Sequence, residues 1–154
     1  MGTIAELREK IDQGIEVGLD KFVNKYKQDM EKYALKAEEK YYDDYSSWYD
    51  PFRRYDIKNM HKVTAYSLGH GCQVKIDFSP SHMKGGHGMW RPLSEYAPDP
   101  GQVFEWGFET GNHGWNVPGT PVRTYWEVYY RTLQNRTKSW ANRFVVQGLR
   151  SVGL

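Results

Sequence analysis

The chain of 154 residues has one cysteine, Cys72, so no disulfide can form within it. A small secreted fold stapled by disulfides is thereby excluded. Its N-terminus has no apolar signal stretch, and no apolar run approaches the length needed to cross a bilayer. The expectation is a soluble protein made in a cytoplasm, with no membrane partner. Asn135-Arg136-Thr137 matches a glycosylation acceptor, which has no meaning without a secretory route. Net charge is only +2, too small to dictate a partner. There is no internal repeat, and the length supports a single domain, 1–154, with a modest core.

Proline is missing from the first fifty residues, and one helical pattern fills most of that space. Ile4, Leu7, Ile11, Ile15, Leu19, Phe22, Tyr26, Met30, Tyr33, Ala37 and Tyr41 recur in steps of three and four. Such steps put them on one stripe of a helix over 3–42. Thr3 with Glu6 makes a capping box that starts it. At 1.5 Å per residue this helix is about 60 Å long. The rest of the chain is too short to cover all of it, so either part of the stripe packs against something outside the chain or the helix bends back.

Aromatic residues are abundant where other apolar types are scarce: six Trp, six Phe and twelve Tyr. Tyr and Trp combine large contact area with a polar handle, which suits interfaces as well as cores, and aromatic wealth argues against disorder. They crowd into the link 43–60, which includes Tyr45, Trp48, Tyr49, Phe52 and Tyr55 around Asp50-Pro51. Neither helical nor strand periodicity holds there, and such a segment is costly to leave in water. Strand alternation follows in His61–Leu68, and more clearly in Gln73–Phe78, where Val74, Ile76 and Phe78 oppose Gln73, Lys75 and Asp77. Gly69-His70-Gly71 reads as the hairpin turn. A long loop rich in proline and glycine spans 79–102. Val103–Phe108 reads as a third strand. Thr120 as N-cap and Pro121 at the first helical position begin a second helix. Its stripe is Val122, Trp126, Tyr129, Leu133, Trp140 and Phe144, and it ends near Gly148, over 120–148. The order helix, strands, helix predicts an α+β fold: a long N-terminal helix, a small antiparallel sheet over 61–110 with long loops, and a C-terminal helix packed on the sheet.

The residues offer little chemistry. His82, His87, His113 and Cys72 are the best metal candidates, but they lack paired ligand spacing and read as polar loop residues. Glu105 and Glu109, four apart in a strand, would sit about 13 Å apart, too far for glycoside hydrolysis. With Trp106 and Trp115 they could still line a sugar groove. Gly85-Gly86-His87-Gly88 lacks the flanking strand and helix of a phosphate loop. No nucleophile triad is visible, and the expectation is no enzyme, no cofactor and no metal. Charge is uneven, however: residues 123–154 carry six bases (Arg123, Arg131, Arg136, Lys138, Arg143 and Arg150) against Glu127 alone. That set could face DNA phosphate or form the solvated face of an amphipathic helix.

The long N-terminal helix, the run Tyr41-Tyr42-Asp43-Asp44-Tyr45-Ser46 and Arg53-Arg54 resemble the tail-completion or head–tail connector proteins of long-tailed double-stranded DNA phages. That family has the order long helix, link, hairpin, long loop, a strand with a Val-Glu-Gly-like signature, and a final helix. Val103-Phe104-Glu105-Trp106-Gly107 resembles the strand, with Glu105 at its acidic position. The Tyr-rich link replaces the family's Pro-x-x-Thr-Gly turn, and Val117-Pro118-Gly119-Thr120-Pro121 precedes the last helix. The resemblance implies a virion protein without catalysis: a homo-oligomeric ring in the neck, bound to other neck, portal-adaptor or tail proteins, with DNA passing through it. An auxiliary or minor capsid protein of the same virion is the alternative, and a carbohydrate-binding module a more distant one. Interface residues expected on this reading are Tyr41, Tyr42, Trp48, Tyr49, Phe52, Arg53, Arg54, Trp90 and Glu105. Arg131, Arg136, Lys138 and Arg143 are the residues expected to face the DNA channel.

Overall fold

The computed structural model describes residues 2–43, 59–67, 71–83, 100–111 and 119–154. Helix α1 spans Ile4–Asp43, strand β1 His61–Ser67 and strand β2 Cys72–Phe78. A short helix α2 covers Pro100–Phe104, and the long helix α3 runs over Val122–Ser151. The two strands pair as an antiparallel hairpin. With α3 packed on the sheet, the class is α+β as the sequence pattern predicts.

Helix α1 starts where the capping box places it. The Glu6 carboxylate accepts from the Thr3 backbone N–H at 2.8 Å, and the Thr3 hydroxyl accepts from the Glu6 N–H at 3.2 Å. Two of the orphan donors of the first turn are thereby satisfied.

The described residues divide into two compact units. One is drawn from the described residues of 1–30, 63–75 and 131–154, the other from those of 31–62 and 76–130. In the first unit α1 and α3 run antiparallel, backbone against backbone. A Cβ on Gly18 would lie 2.6 Å from the Phe144 carbonyl oxygen, and one on Gly14 would lie 2.9 Å from the Leu149 Cα. A Cβ on Gly148 would fall on the Gly14 carbonyl oxygen. Glycine at all three positions is what allows the crossing. Phe22 and Phe144 extend it at 6.2 Å between ring centroids, and Thr137 donates to the Tyr26 hydroxyl at 3.3 Å. Gly148 is therefore a packing residue and not the helix stop that its type suggests in sequence. The stop is Gly153 (φ +85), where the N–H of Leu154 reaches the Leu149 carbonyl and that of Gly153 the Arg150 carbonyl. That pair of bonds is a Schellman cap.

In the second unit α3 is held to α1 by aromatic contacts. Tyr33 stacks on Tyr129 at 5.4 Å, with the Lys36 ammonium 5.2 Å from the same Tyr129 ring. On the sheet side, Trp126 meets Phe78 edge-on at 5.4 Å, and Phe78 packs on Phe108 at 4.7 Å. Strand β2 shows the expected alternation: Val74, Ile76 and Phe78 are half-buried while Gln73, Lys75 and Asp77 are exposed.

Val103–Phe108, expected as a third strand, is helical. Pro100–Phe104 is α-helical and Glu105–Thr110 continues as a π-helical turn. In so short a segment, spacings of two and of four are both present. Here the spacing of four prevails: Phe104 stacks on Phe108 at 5.1 Å, and Val103 and Gly107 are both buried. Pro100 occupies the first helical position, which favours a helix start. Gly111, in the left-handed region at φ +73, closes the turn. A Cβ there would collide with the Gly119 carbonyl oxygen and the Pro121 nitrogen.

Candidate functional site

Three features stand out from the packing: an uncovered end of α1, a basic face on α3, and a buried ion pair between α1 and β1. The first is a matter of where α3 stops. The stripe of α1 is covered at Gly14, Gly18, Phe22, Val23, Tyr26 and Met30. Val152, just past the end of α3, lies 3.1 Å from a Cβ built on Gly14. N-terminal of that point the same stripe emerges into solvent: Ile11 is 38 % exposed, Leu7 48 % and Ile4 88 %.

The second feature lies on α3. Arg131, Arg136, Lys138, Arg143 and Arg150 are all exposed, and no acidic residue follows Glu127. Residues seven apart return to nearly the same face of a helix, about 10.5 Å along it. Arg136, Arg143 and Arg150 therefore form one row, and Arg131 with Lys138 a second. Between the rows lie exposed Asn135, Ser139 and Asn142, which are polar and uncharged. The two rows border the solvent face, opposite buried Trp126, Leu133 and Gly148. The Arg136 guanidinium also sits 5.8 Å from the Trp140 ring centroid.

The third feature is invisible to pattern reading. Glu38 in α1 is fully buried beside Ala34, Ala37 and Tyr41, and both its carboxylate oxygens lie 2.8 Å from His61 Nδ1. The hydrogen bond to Glu38 raises the His61 pKa above its ordinary 6.5 against the opposing effect of burial, with smaller contributions from the Glu38 and Glu31 charges. A buried carboxylate needs such a partner. The available signal is Glu38 itself, which lies one position from Ala37 on a face that also holds Ala34 and Tyr41.

Of the remaining expected site residues, Tyr41, Tyr42 and Glu105 lie among the described residues. Tyr41 is 1 % exposed; its surface is already covered within the chain, so it has none to offer a neighbour. Tyr42 lies within α1. Trp48, Tyr49, Phe52, Arg53, Arg54 and Trp90 lie outside the described residues. Glu105 is exposed on the π-helical turn and not on a strand, so the strand signature at Val103–Gly107 is lost. The turn also brings Glu105 and Glu109 close to one turn apart, not the spacing of an extended chain. Glu109 lies 3.8 Å from Arg123, with both groups about half exposed, a contact of little energetic weight.

Among the metal candidates, His82 Nε2 pairs with Asp77 at 2.8 Å, while His87 and His113 lie outside the described residues. No cluster of three or more metal-ligating side chains occurs among the described residues. Burial, helped by the Asp20 charge, pushes the Cys72 thiol pKa up, which keeps it protonated and a poor nucleophile. No helix among the described residues is long and apolar enough to cross a membrane. Comparison of the chain with protein-family models, with curated proteins and with solved structures gives no match in any of the three.

Proposed function

We propose that the protein is a structural assembly component and, more specifically, a virion protein of the neck of a long-tailed double-stranded DNA phage. In that reading it forms a ring between the head or portal side and the tail, and DNA passes through the ring. The observation that carries the assembly role is the solvent-exposed stripe Ile4, Leu7 and Ile11, which prolongs a face that is buried further along α1. A helix face that is apolar and uncovered fits a contact outside the chain.

The neck placement rests on the layout of long helix, hairpin, proline- and glycine-rich segment and final helix. The Val103–Gly107 segment lends it nothing, being helical. Contacts between ring subunits are assigned to the aromatic link 43–60, since a heterologous ring needs complementary patches on two sides of each subunit. The two basic rows of α3 supply the face toward DNA: non-specific phosphate contact draws on exposed Arg and Lys, and α3 presents five of them in a stretch of sequence with no acidic residue after Glu127.

Light scattering of the purified protein across a concentration series tests this reading. A defined oligomer, or a monomer that closes into a ring on concentration, is the expected result. A strict monomer that binds oligosaccharide would overturn it in favour of a carbohydrate-binding module.

A further inference from the structure

The uncovered end of α1 carries more information than its apolarity, because charge is sorted around it. Exposed Arg8 and Lys10 lie about 70° and 90° to either side of the stripe centre on a helical projection, whereas Glu6, Glu9 and Asp12 lie about 110° or more away. The apolar stripe is thus bordered on both edges by bases, with the acids farther round the helix, Glu6 and Glu9 toward its back. We propose that this segment, Ile4–Ile11, is the docking site for an amphipathic helix of a partner protein whose apolar seam is bordered by Asp or Glu.

Two features select a helix as the occupant. The stripe continues a seam on which a helix already sits, since α3 covers the same face from Gly14 onward. It is also narrow: Ile4, Leu7 and Ile11 fall within about 60° of one another, which is the width of a helix–helix seam. Helices that lie in a lipid surface carry a broader apolar face. Helix α3 cannot extend to cover the segment itself, because the Schellman cap at Gly153 turns its chain out of the helix.

Charge selects the partner's sign and disfavours a second copy. A copy of this chain presents at its own seam edges Arg8 and Lys10, so pairing two such segments sets bases beside bases with no acid to answer them. An acid-bordered helix answers both bases. Pairs at such edge positions set partner choice more than they set affinity. This inference goes beyond the neck reading and does not depend on it: the ring can fail in light scattering while the docking preference stands.

The test is fluorescence anisotropy of two labelled three-heptad peptides titrated with the full chain at low salt. Both carry Leu at the seam positions; one has Glu at the bordering positions and the other Lys. The Glu-bordered peptide is expected to bind about tenfold more tightly, the combined effect of two attractive edge pairs becoming repulsive ones. Leu7→Ser should abolish binding of both peptides. Arg8→Glu with Lys10→Glu should reverse the preference; these residues are exposed, and an unchanged far-UV circular dichroism spectrum confirms that the helix persists. Equal binding of the two peptides, or binding of neither, overturns the proposal. So does a wild-type dimer that Leu7→Ser dissociates, since the occupant would then be a second copy. Leu7-dependent binding to vesicles of equal parts phosphatidylcholine and phosphatidylglycerol without peptide preference overturns it in favour of a lipid surface.

Discussion

Gly148 of α3 lies against Gly18 of α1 so closely that a Cβ on Gly148 would stand 2.6 Å from the Gly18 backbone nitrogen and 2.8 Å from its Cα. Backbone atoms cannot swing aside as a side chain can, so the two helices would have to separate. Alanine normally gains up to about 1 kcal/mol over glycine inside a helix. Here the overpacking outweighs that gain, and Gly148→Ala should lower stability by roughly 2 kcal/mol in urea unfolding. Gly71 has nothing within 4 Å of its Cβ position, so Gly71→Ala is the control and should change little.

The Glu38–His61 pair gives stability a pH dependence. The His61 pKa is raised in the folded protein, so the folded state holds its proton more tightly than the unfolded chain does. The resulting stability is fully present below about pH 6.5, the ordinary histidine value. It is lost as pH rises through the higher folded value. Urea midpoints measured from pH 6 upward should therefore fall, and His61→Gln should remove this part of the slope. His61→Leu should cost on the order of 3 kcal/mol at the lower pH, because it strips a fully buried carboxylate of this partner.

Phe108 joins the π-helical turn to strand β2 through Phe78 and to α2 through Phe104. Phe108→Ala should destabilise by about 3 kcal/mol. Trp126 stands edge-on to Phe78, so near-ultraviolet circular dichroism should report the same loss. Were Val103–Phe108 a strand, Phe104 and Phe108 would stand about 13 Å apart along it, and Phe104→Ala and Phe108→Ala would act additively. In the stacked pair they should couple.

Charge reversal on α3 separates the two rows. Arg136→Glu with Arg143→Glu should weaken binding to duplex DNA of any sequence, and should flatten the dependence of log K on log salt by about 0.9 for each phosphate no longer neutralised. Their exposure leaves folding and oligomer mass unchanged. An unchanged salt slope would remove the row of Arg136, Arg143 and Arg150 from any DNA-facing role.

Trp48→Ala with Tyr49→Ala tests the aromatic link. Weakened assembly in light scattering, with an unchanged unfolding midpoint, is the expected outcome. Unchanged assembly would remove the link from the subunit contact.

Both long helices are legible in the sequence because their signals are local and repeated: a capping box and a three-to-four spacing kept up over 40 residues for α1, and a comparable stripe for α3. The hairpin is legible from the alternation in β2. Val103–Phe108 misleads because six residues are too few to separate a period of two from one near four; the deciding contact, Phe108 on Phe78, is made across the fold. Gly148 misleads for a related reason. Glycine late in a helix signals a stop, and only the approach of Gly14 and Gly18 gives it another task. The basic residues of α3 are legible as a set, but their two rows require the helix. Glu38 escapes pattern reading because its partner lies 23 residues away.

The crossing of α1 and α3 also fixes an order of events during synthesis. Tyr26 meets Thr137 across 111 residues of chain, so α1 leaves the ribosome long before the surface that covers it. Throughout that interval Gly14, Gly18 and Phe22 remain as bare as Ile4 and Leu7. Closure must wait for almost the whole chain, which makes folding slow through its long-range contacts and leaves the nascent helix open to capture by other proteins. The first two turns of α1 keep after folding the exposure that the rest of its stripe loses.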